Sequence, residues 1–204
     1  MNLTPEELQT IDWYNQNASV WSDKHCFNNP NPPMFAPEFT KFIQLVPSGK
    51  ILEIGAGSGL EAKQFIKNYG AENYIGVDAS SGLLKIAKKT NPDGNFKLMN
   101  LYSLAFPDSY FDGLWICATI IHVPYERLSL ALNEAYRVLK AHGYGFISIM
   151  EGNENMVNSR PGRYYSLWPK KAFIKEVNKA GFKIHSERTI HTNASPWLAL
   201  IVKK

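Results

Sequence analysis

Two cysteines, Cys26 and Cys117, are all that the 204-residue chain contains. They are too few for a disulfide framework, and Cys117 sits in the apolar run LWICATII, where a reduced, buried thiol is expected. His25 precedes Cys26, but no second ligand pair has metal-site spacing, so no metal is expected. Nowhere does an apolar run approach the roughly 20 residues that span a bilayer. The opening MNLTPEELQT is polar and acidic, unlike a signal or transit peptide, which leads to the expectation of a soluble cytoplasmic protein. Charge of one sign is also scarce: the net charge is only +4. The lysines are scattered, with Lys85, Lys88 and Lys89 the densest group and Lys170 and Lys171 behind, as on solvated helix faces. Charge alone therefore does not imply nucleic acid. Repeats and low-complexity segments are missing as well.

What is there is an alternation. Thr4, Pro5 and Glu7 form a helix start with a capping hydroxyl, an N-terminal proline and a capping-box glutamate. That helix is expected to run on through YNQNASVW, and the turn-rich NNPNPP (28–33) then separates it from MFAPEFTKFIQLV, a second helix. From Lys50 the apolar strands KILEIG, NYIGVDA, NFKLMN, FDGLWICA and YGFISIM alternate with helical segments, apart from an irregular LYSLAFPDSY. Near-continuous apolar strands separated by helices predict a parallel sheet covered on both faces. After Met150 come a polar and aromatic loop, the helix PKKAFIKEVNKAGF, and the strands FKIHSERTI and PWLALIVKK joined by HTNAS. So short a link makes those two strands antiparallel neighbours.

The first strand ends in LEIGAGSGLE, residues 52–61. A loop between a strand and a helix offers backbone N–H groups and the positive end of a helix dipole. The dinucleotide fingerprint would be G-x-G-x-x-G. Here Gly55, Gly57 and Gly59 give G-x-G-x-G, and Leu60 occupies the place of the third dinucleotide glycine. Glu53 is out of place beside a pyrophosphate but suits a ligand that carries an ammonium or a sulfonium. Asp78, ending the second strand, suits a hold on ribose hydroxyls.

With these stretches in order, the chain resembles the class I S-adenosylmethionine-dependent methyltransferases, from about Lys50 to Met150. LEIGAGSGLE is similar to that family's E/D-x-G-x-G-x-G motif, and GVDASSGLLKIAKK to its ribose strand and helix. LAFPDSYFDGLW is similar to its L-P-F-P-D-x-S-F-D stretch, and EAYRVLKAHGYGFISI to its R-V-L-K-P-G-G ending in strand five. The resemblance implies a Rossmann-like, doubly wound sheet of seven strands, mostly parallel with one antiparallel C-terminal strand. Helices would cover both faces, under an N-terminal helical lid. It also implies one domain over 1–204: an arm to residue 33, a cofactor core over 34–150, and an acceptor loop with the last helix and strand pair over 151–204.

The cofactor implied is S-adenosylmethionine, leaving as S-adenosylhomocysteine. By resemblance Glu53, Gly55, Ala56, Gly57 and Gly59 would hold its methionine end, Asp78 its ribose, and Ala79, Asn100 and Leu101 its adenine. Cys117 and Ala118 would flank the transferred methyl, and Tyr14 and Trp21 would close over the cofactor. The family often has Asp where Asn100 stands, and an amide oxygen still accepts from the adenine amino group. His122, just after strand four, is the candidate general base, or else a histidine that caps the helix from Pro124 or packs against it. In RPGRYYSLW, Arg160 and Arg163 are candidates for an anionic acceptor, and Tyr164 and Tyr165 for a flat one. A small-molecule acceptor is the expected partner of a monomer or homodimer. The alternatives are an RNA methyltransferase, since R-Y-Y near the C-terminus resembles tRNA wobble-uridine enzymes, and a cofactor-binding module without transfer activity.

Overall fold

In the computed structural model, residues 2–25, 34–153, 156–157 and 162–204 are described. Strand β1 (Ile51–Ile54) is buried along its whole length and pairs in parallel with β2 (Tyr74–Asp78) on one side and β4 (Phe111–Ile116) on the other. β3 (Asn95–Leu98) lies outside β2, and β5 (Leu139–Met150) outside β4. β8 (Lys183–Ile190) and β9 (Trp197–Lys203) complete a seven-stranded sheet of order β3-β2-β1-β4-β5-β9-β8. β9 is antiparallel to both of its neighbours, so one strand of the seven is reversed, as the short HTNAS link requires. Two short strands, β6 (Met156–Val157) and β7 (Ser166–Leu167), pair separately.

The two faces of the sheet carry two cores, because successive strand side chains point to opposite sides. Leu52, Ile54, Leu114, Ile116, Ile147 and Ile149 pack on one side with α6 (Leu128–Val138) and α7 (Lys170–Lys179). On the other side Ile51, Trp115 and Phe146 meet an aromatic layer from α3 (Ala36–Leu45) and α4 (Ala62–Tyr69), with α5 (Ser81–Thr90) beside it. The rings of Trp115 and Phe146 stack with centroids 3.9 Å apart. Each fully buried side chain of this size contributes about 1.5–3 kcal/mol.

The N-terminal segment departs from a single helix. The expected capping box is present, Glu7 N–H donating to the Thr4 hydroxyl and Thr4 N–H to the Glu7 carboxylate. α1 (Pro5–Gln16) then stops at Asn17, whose side-chain amide donates to the Trp13 carbonyl at 2.8 Å. The backbone N–H of Asn17 donates to the same carbonyl at 3.0 Å, so the side chain adds a bond where φ and ψ of −108° and 15° leave the helical range, and α2 (Ala18–His25) restarts beyond it. β5 also begins earlier than YGFISIM: it takes in the AHGYG stretch through a bulge between Phe111 and Gly113 of β4, with His142 at φ 67°.

Chain order reverses between β1 and β4, since β2 and β3 go one way and β5 the other. The carboxyl ends of β1 and β4 therefore flank the topological switch point, where open α/β sheets bind ligands.

Candidate active site

At that switch point lies a cavity of about 300 Å³, at the small end of the range of roughly 300–1,000 Å³ typical of ligand sites. Its floor is the loop after β1, with Gly55, Ala56, Gly57, Ser58 and Glu61. One wall comes from the ends of β2 and β3, with Asp78, Ala79, Asn100 and Leu101, and another from Cys117 to Thr119 after β4. The roof is α1 and α2, which contribute Glu7, Thr10, Ile11, Tyr14 and Trp21.

The loop is built around its glycines. At Gly57, φ is +54° and a Cβ would meet nothing closer than the Gly55 carbonyl at 4.0 Å, so the missing side chain is cavity space. At Gly55 a Cβ would collide with the Thr119 hydroxyl at 1.9 Å. Gly59 lies off the cavity wall; its carbonyl accepts from the Asn91 amide at 3.0 Å, which ties the loop to the end of α5. Asp78 locks the loop from the opposite side. One carboxylate oxygen accepts from Gly57 N–H at 2.8 Å and the other from Ser80 N–H at 2.8 Å. Burial raises its pKa, and these backbone donors pull the other way. Ala79 N–H is a third backbone donor to the carboxylate, which retains acceptor capacity for a diol.

Glu53 stands behind the wall rather than on it. In register with Trp115, it points into the aromatic layer and accepts a hydrogen bond from the Tyr74 hydroxyl. It is 2% exposed, and burial holds its carboxyl well above the usual carboxylate range, with the charge of Glu61 adding to the effect. Glu61, which sequence reasoning did not single out, is the carboxylate of this loop that reaches the cavity. Burial pushes it up to about 7. Its only sequence signal is an acid two residues past the last loop glycine, a position usually given to helix capping.

After β3, the Asn100 side-chain oxygen accepts from Tyr102 N–H at 3.0 Å and keeps one lone pair. Leu101 lies beside it on the wall. After β4, Ala118 is held at φ 51°, unusual for a residue with a Cβ, with its N–H donating to the Ser148 hydroxyl at 2.9 Å. The Cys117 thiol is raised by burial and stays protonated.

His122 occupies a 3-10 turn and does not cap α6. Its Nδ1 lies 2.7 Å from the Tyr164 carbonyl, which can only accept, so Nδ1 carries the proton. Its Nε2 therefore presents a lone pair to the Tyr14 hydroxyl at 3.0 Å, and Tyr14 donates. Burial, followed by the nearby charge of Arg163, pushes His122 down to about 4, while burial raises Tyr14. The pair is neutral at pH 7.

The acceptor-loop residues stand elsewhere. Arg163 stacks its guanidinium 4.0 Å over the Trp13 ring and reaches the Tyr14 hydroxyl at 3.5 Å, off the cavity wall. Tyr164 donates its backbone N–H to Thr10 at 2.9 Å, and Tyr165 is 5% exposed in the core, its ring edge-on to His122. Neither lines the cavity: the Tyr164 backbone ties the loop to Thr10 of α1 and to His122, and the Tyr165 ring packs in the core. Arg160, Cys26 and NNPNPP lie outside the described residues. Two further ties fix the roof. Arg127 forms a buried ion pair with Glu7, which also accepts from Tyr102, and the Asn15 side-chain oxygen accepts from the Ser80 hydroxyl and Gly82 N–H at the start of α5. Glu7 showed itself in sequence only as a capping-box residue; its partner 120 positions away left no local trace.

S-adenosylmethionine fits these walls. The Gly57 cradle would take a ligand backbone, Asp78 a ribose and the Asn100–Leu101 wall an adenine. Among the described residues no cluster of side chains could hold a metal ion, and no helix is long and apolar enough to cross a membrane.

Comparison with known proteins agrees with this geometry. Residues 52–147 match a family described as a methyltransferase domain. An uncharacterised protein of Methanocaldococcus jannaschii is 29% identical over 84% of the chain and 74% of its own length. Demethylmenaquinone methyltransferase of Renibacterium salmoninarum is 30% identical over 50% of the chain, which spans only 41% of that relative. In fold, the 1,6-didemethyltoxoflavin-N1-methyltransferase of Burkholderia thailandensis, solved with its substrate and S-adenosylhomocysteine, superposes with a TM-score of 0.76 over 100% of this chain and 92% of that one, at 16% identity. With the motif residues gathered around one cavity, residues 52–147, from β1 into β5, match the methyltransferase domain family, and the chain is similar there to the class I S-adenosylmethionine-dependent methyltransferases.

Proposed function

We propose that the chain methylates a small, flat molecule bound beneath α1. One observation carries this reading: the cavity runs without a break from the cofactor walls to an apolar and aromatic roof of Ile11, Tyr14 and Trp21 beside His122. The wall, among the described residues, includes no lysine or arginine, which favours an uncharged acceptor over the phosphates of RNA. The relatives that methylate a demethylmenaquinone and a didemethyltoxoflavin support a small molecule as well.

When bound, S-adenosylmethionine supplies an electrophilic methyl group and its own leaving group. The protein then has to align, desolvate and, for a protic acceptor, remove a proton. α1 excludes water from above, held by the Glu7–Arg127 pair. The proton has a defined route, from the acceptor to the Tyr14 oxygen as Tyr14 passes its own to His122 Nε2. With a pKa of about 4, His122 is a weak base. It suits an acceptor whose proton becomes acidic only as the methyl arrives.

Calorimetric titration with S-adenosylhomocysteine, with NADH in parallel, tests the cofactor, and release of S-adenosylhomocysteine across a panel of quinols, phenols and heteroaromatic amines tests the acceptor. Micromolar binding of S-adenosylhomocysteine alone, with turnover on one panel class, is the expected result. Binding without turnover on any of them returns the chain to a cofactor-binding module.

A further inference from the structure

The sequence motif offers Glu53 as the acid of the methionine end, yet Glu53 faces the aromatic layer and is engaged by Tyr74. Glu61 is the carboxylate that opens onto the cavity beside Gly55 and Cys117. It begins α4 without making a capping hydrogen bond with its side chain, so helix capping does not account for it. Apart from its own backbone N–H, no donor reaches its carboxylate among the described residues. Nor, among the described residues, does the cavity wall include a lysine or arginine. The groups that feel its charge are Glu53 of β1, Tyr74 of β2 and Cys117 after β4, all acidic, while Asp78 stands at the other end of the loop. Lys63 and Lys67 of its own helix are exposed to solvent. A partly buried carboxylate with acidic neighbours and no counter-ion is completed by a cationic ligand group.

We propose that Glu61 is the residue that receives the amino-acid ammonium of the cofactor. The inference rests on the methyltransferase reading, since it assigns one end of that cofactor. The ligand enters with its ammonium already charged, and Glu61 meets it as a carboxylate. Any proton that Glu61 carries beforehand passes to solvent on binding. Sequence comparison with the motif would give that task to Glu53, whose place behind the wall leaves it the role of a buried partner for Tyr74.

Calorimetry on the full chain tests this with two probes, S-adenosylhomocysteine and 5′-methylthioadenosine, which keeps the adenosine and the sulfur but has no ammonium. Titrations near pH 6 in buffers of different ionisation enthalpy are expected to show roughly one proton released with S-adenosylhomocysteine and none with methylthioadenosine. Affinity for S-adenosylhomocysteine alone is expected to rise about tenfold or more between about pH 5.5 and 7.5. Glu61→Gln is expected to abolish the proton release and weaken S-adenosylhomocysteine at least tenfold, while methylthioadenosine binds as before, which also shows that the variant is folded. Unchanged S-adenosylhomocysteine affinity and proton release in Glu61→Gln overturn the assignment while leaving the cofactor in place. Failure of the unchanged protein to bind either probe overturns the methyltransferase reading and this inference with it.

Discussion

The Tyr14 hydroxyl lies 3.0 Å from His122 Nε2, although 108 residues separate the two in the chain. The bond joins the helical roof to the carboxyl edge of β4 and fixes the histidine tautomer from one side, as the Tyr164 carbonyl does from the other.

Tyr14→Phe keeps the ring on the cavity and removes the proton path. With a protic acceptor, we expect kcat to fall by about 10²-fold or more for Tyr14→Phe and for His122→Ala alike. The Kd for S-adenosylhomocysteine should stay within about threefold for Tyr14→Phe. Equal loss in the two single variants and no further loss in the double variant identifies a unit; an unchanged kcat returns His122 to a packing role.

Asp78 holds the glycine loop and the start of α5 at once. Asp78→Ala should weaken S-adenosylhomocysteine by at least about tenfold, worth about 1.4 kcal/mol. Asp78→Asn keeps one acceptor oxygen and should fall between. Calorimetry on both decides the ribose assignment, and equal affinity in all three proteins defeats it.

Glu7 and Arg127 are 6% and 8% exposed, and the guanidinium also lies 4.2 Å over the Tyr102 ring. Removing one member of a buried pair strands the other charge, at a cost of about 3–5 kcal/mol. Glu7→Gln and Arg127→Met should each lower the melting temperature. The combined Glu7→Leu, Arg127→Met variant should recover part of that loss, because neither charge is then left alone.

His122 is pushed down to about 4 by burial. Because its folded pKa lies below its unfolded one, its contribution to stability is full above about pH 6.5 and is lost as the pH falls through the window to about 4. A shift of this size corresponds to about 3 kcal/mol. The raised carboxylates Glu53, Asp78 and Glu61 act in the opposite direction. The measurement is therefore the difference between the unchanged protein and His122→Asn in denaturant unfolding at about pH 4.5 and 7.5. That difference should shrink toward the lower pH.

The alternation of apolar strands and helices from Ile51 onward was legible in the chain, because side-chain period and turn residues are local properties. The reversed last strand was legible too, since the HTNAS link admits no crossover. So were the glycine loop and Asp78, which lie at the carboxyl ends of two parallel strands joined by one crossover helix and therefore meet at the same edge of the sheet. The break at Asn17 was missed because the departure of one residue from helical φ and ψ leaves no mark in the residue pattern on either side of it. What the sequence could not decide was which acid of the loop faces the cavity. Glu53 and Glu61 are both near the glycines, but a strand sends alternate side chains to opposite faces, and the layer built by α3 and α4 claims Glu53. The same holds for Arg163 and Tyr165, which a linear motif offers to a ligand and which packing assigns to Trp13 and the core. Local pattern specified the sheet and its loop; contacts between residues more than a hundred positions apart built the roof.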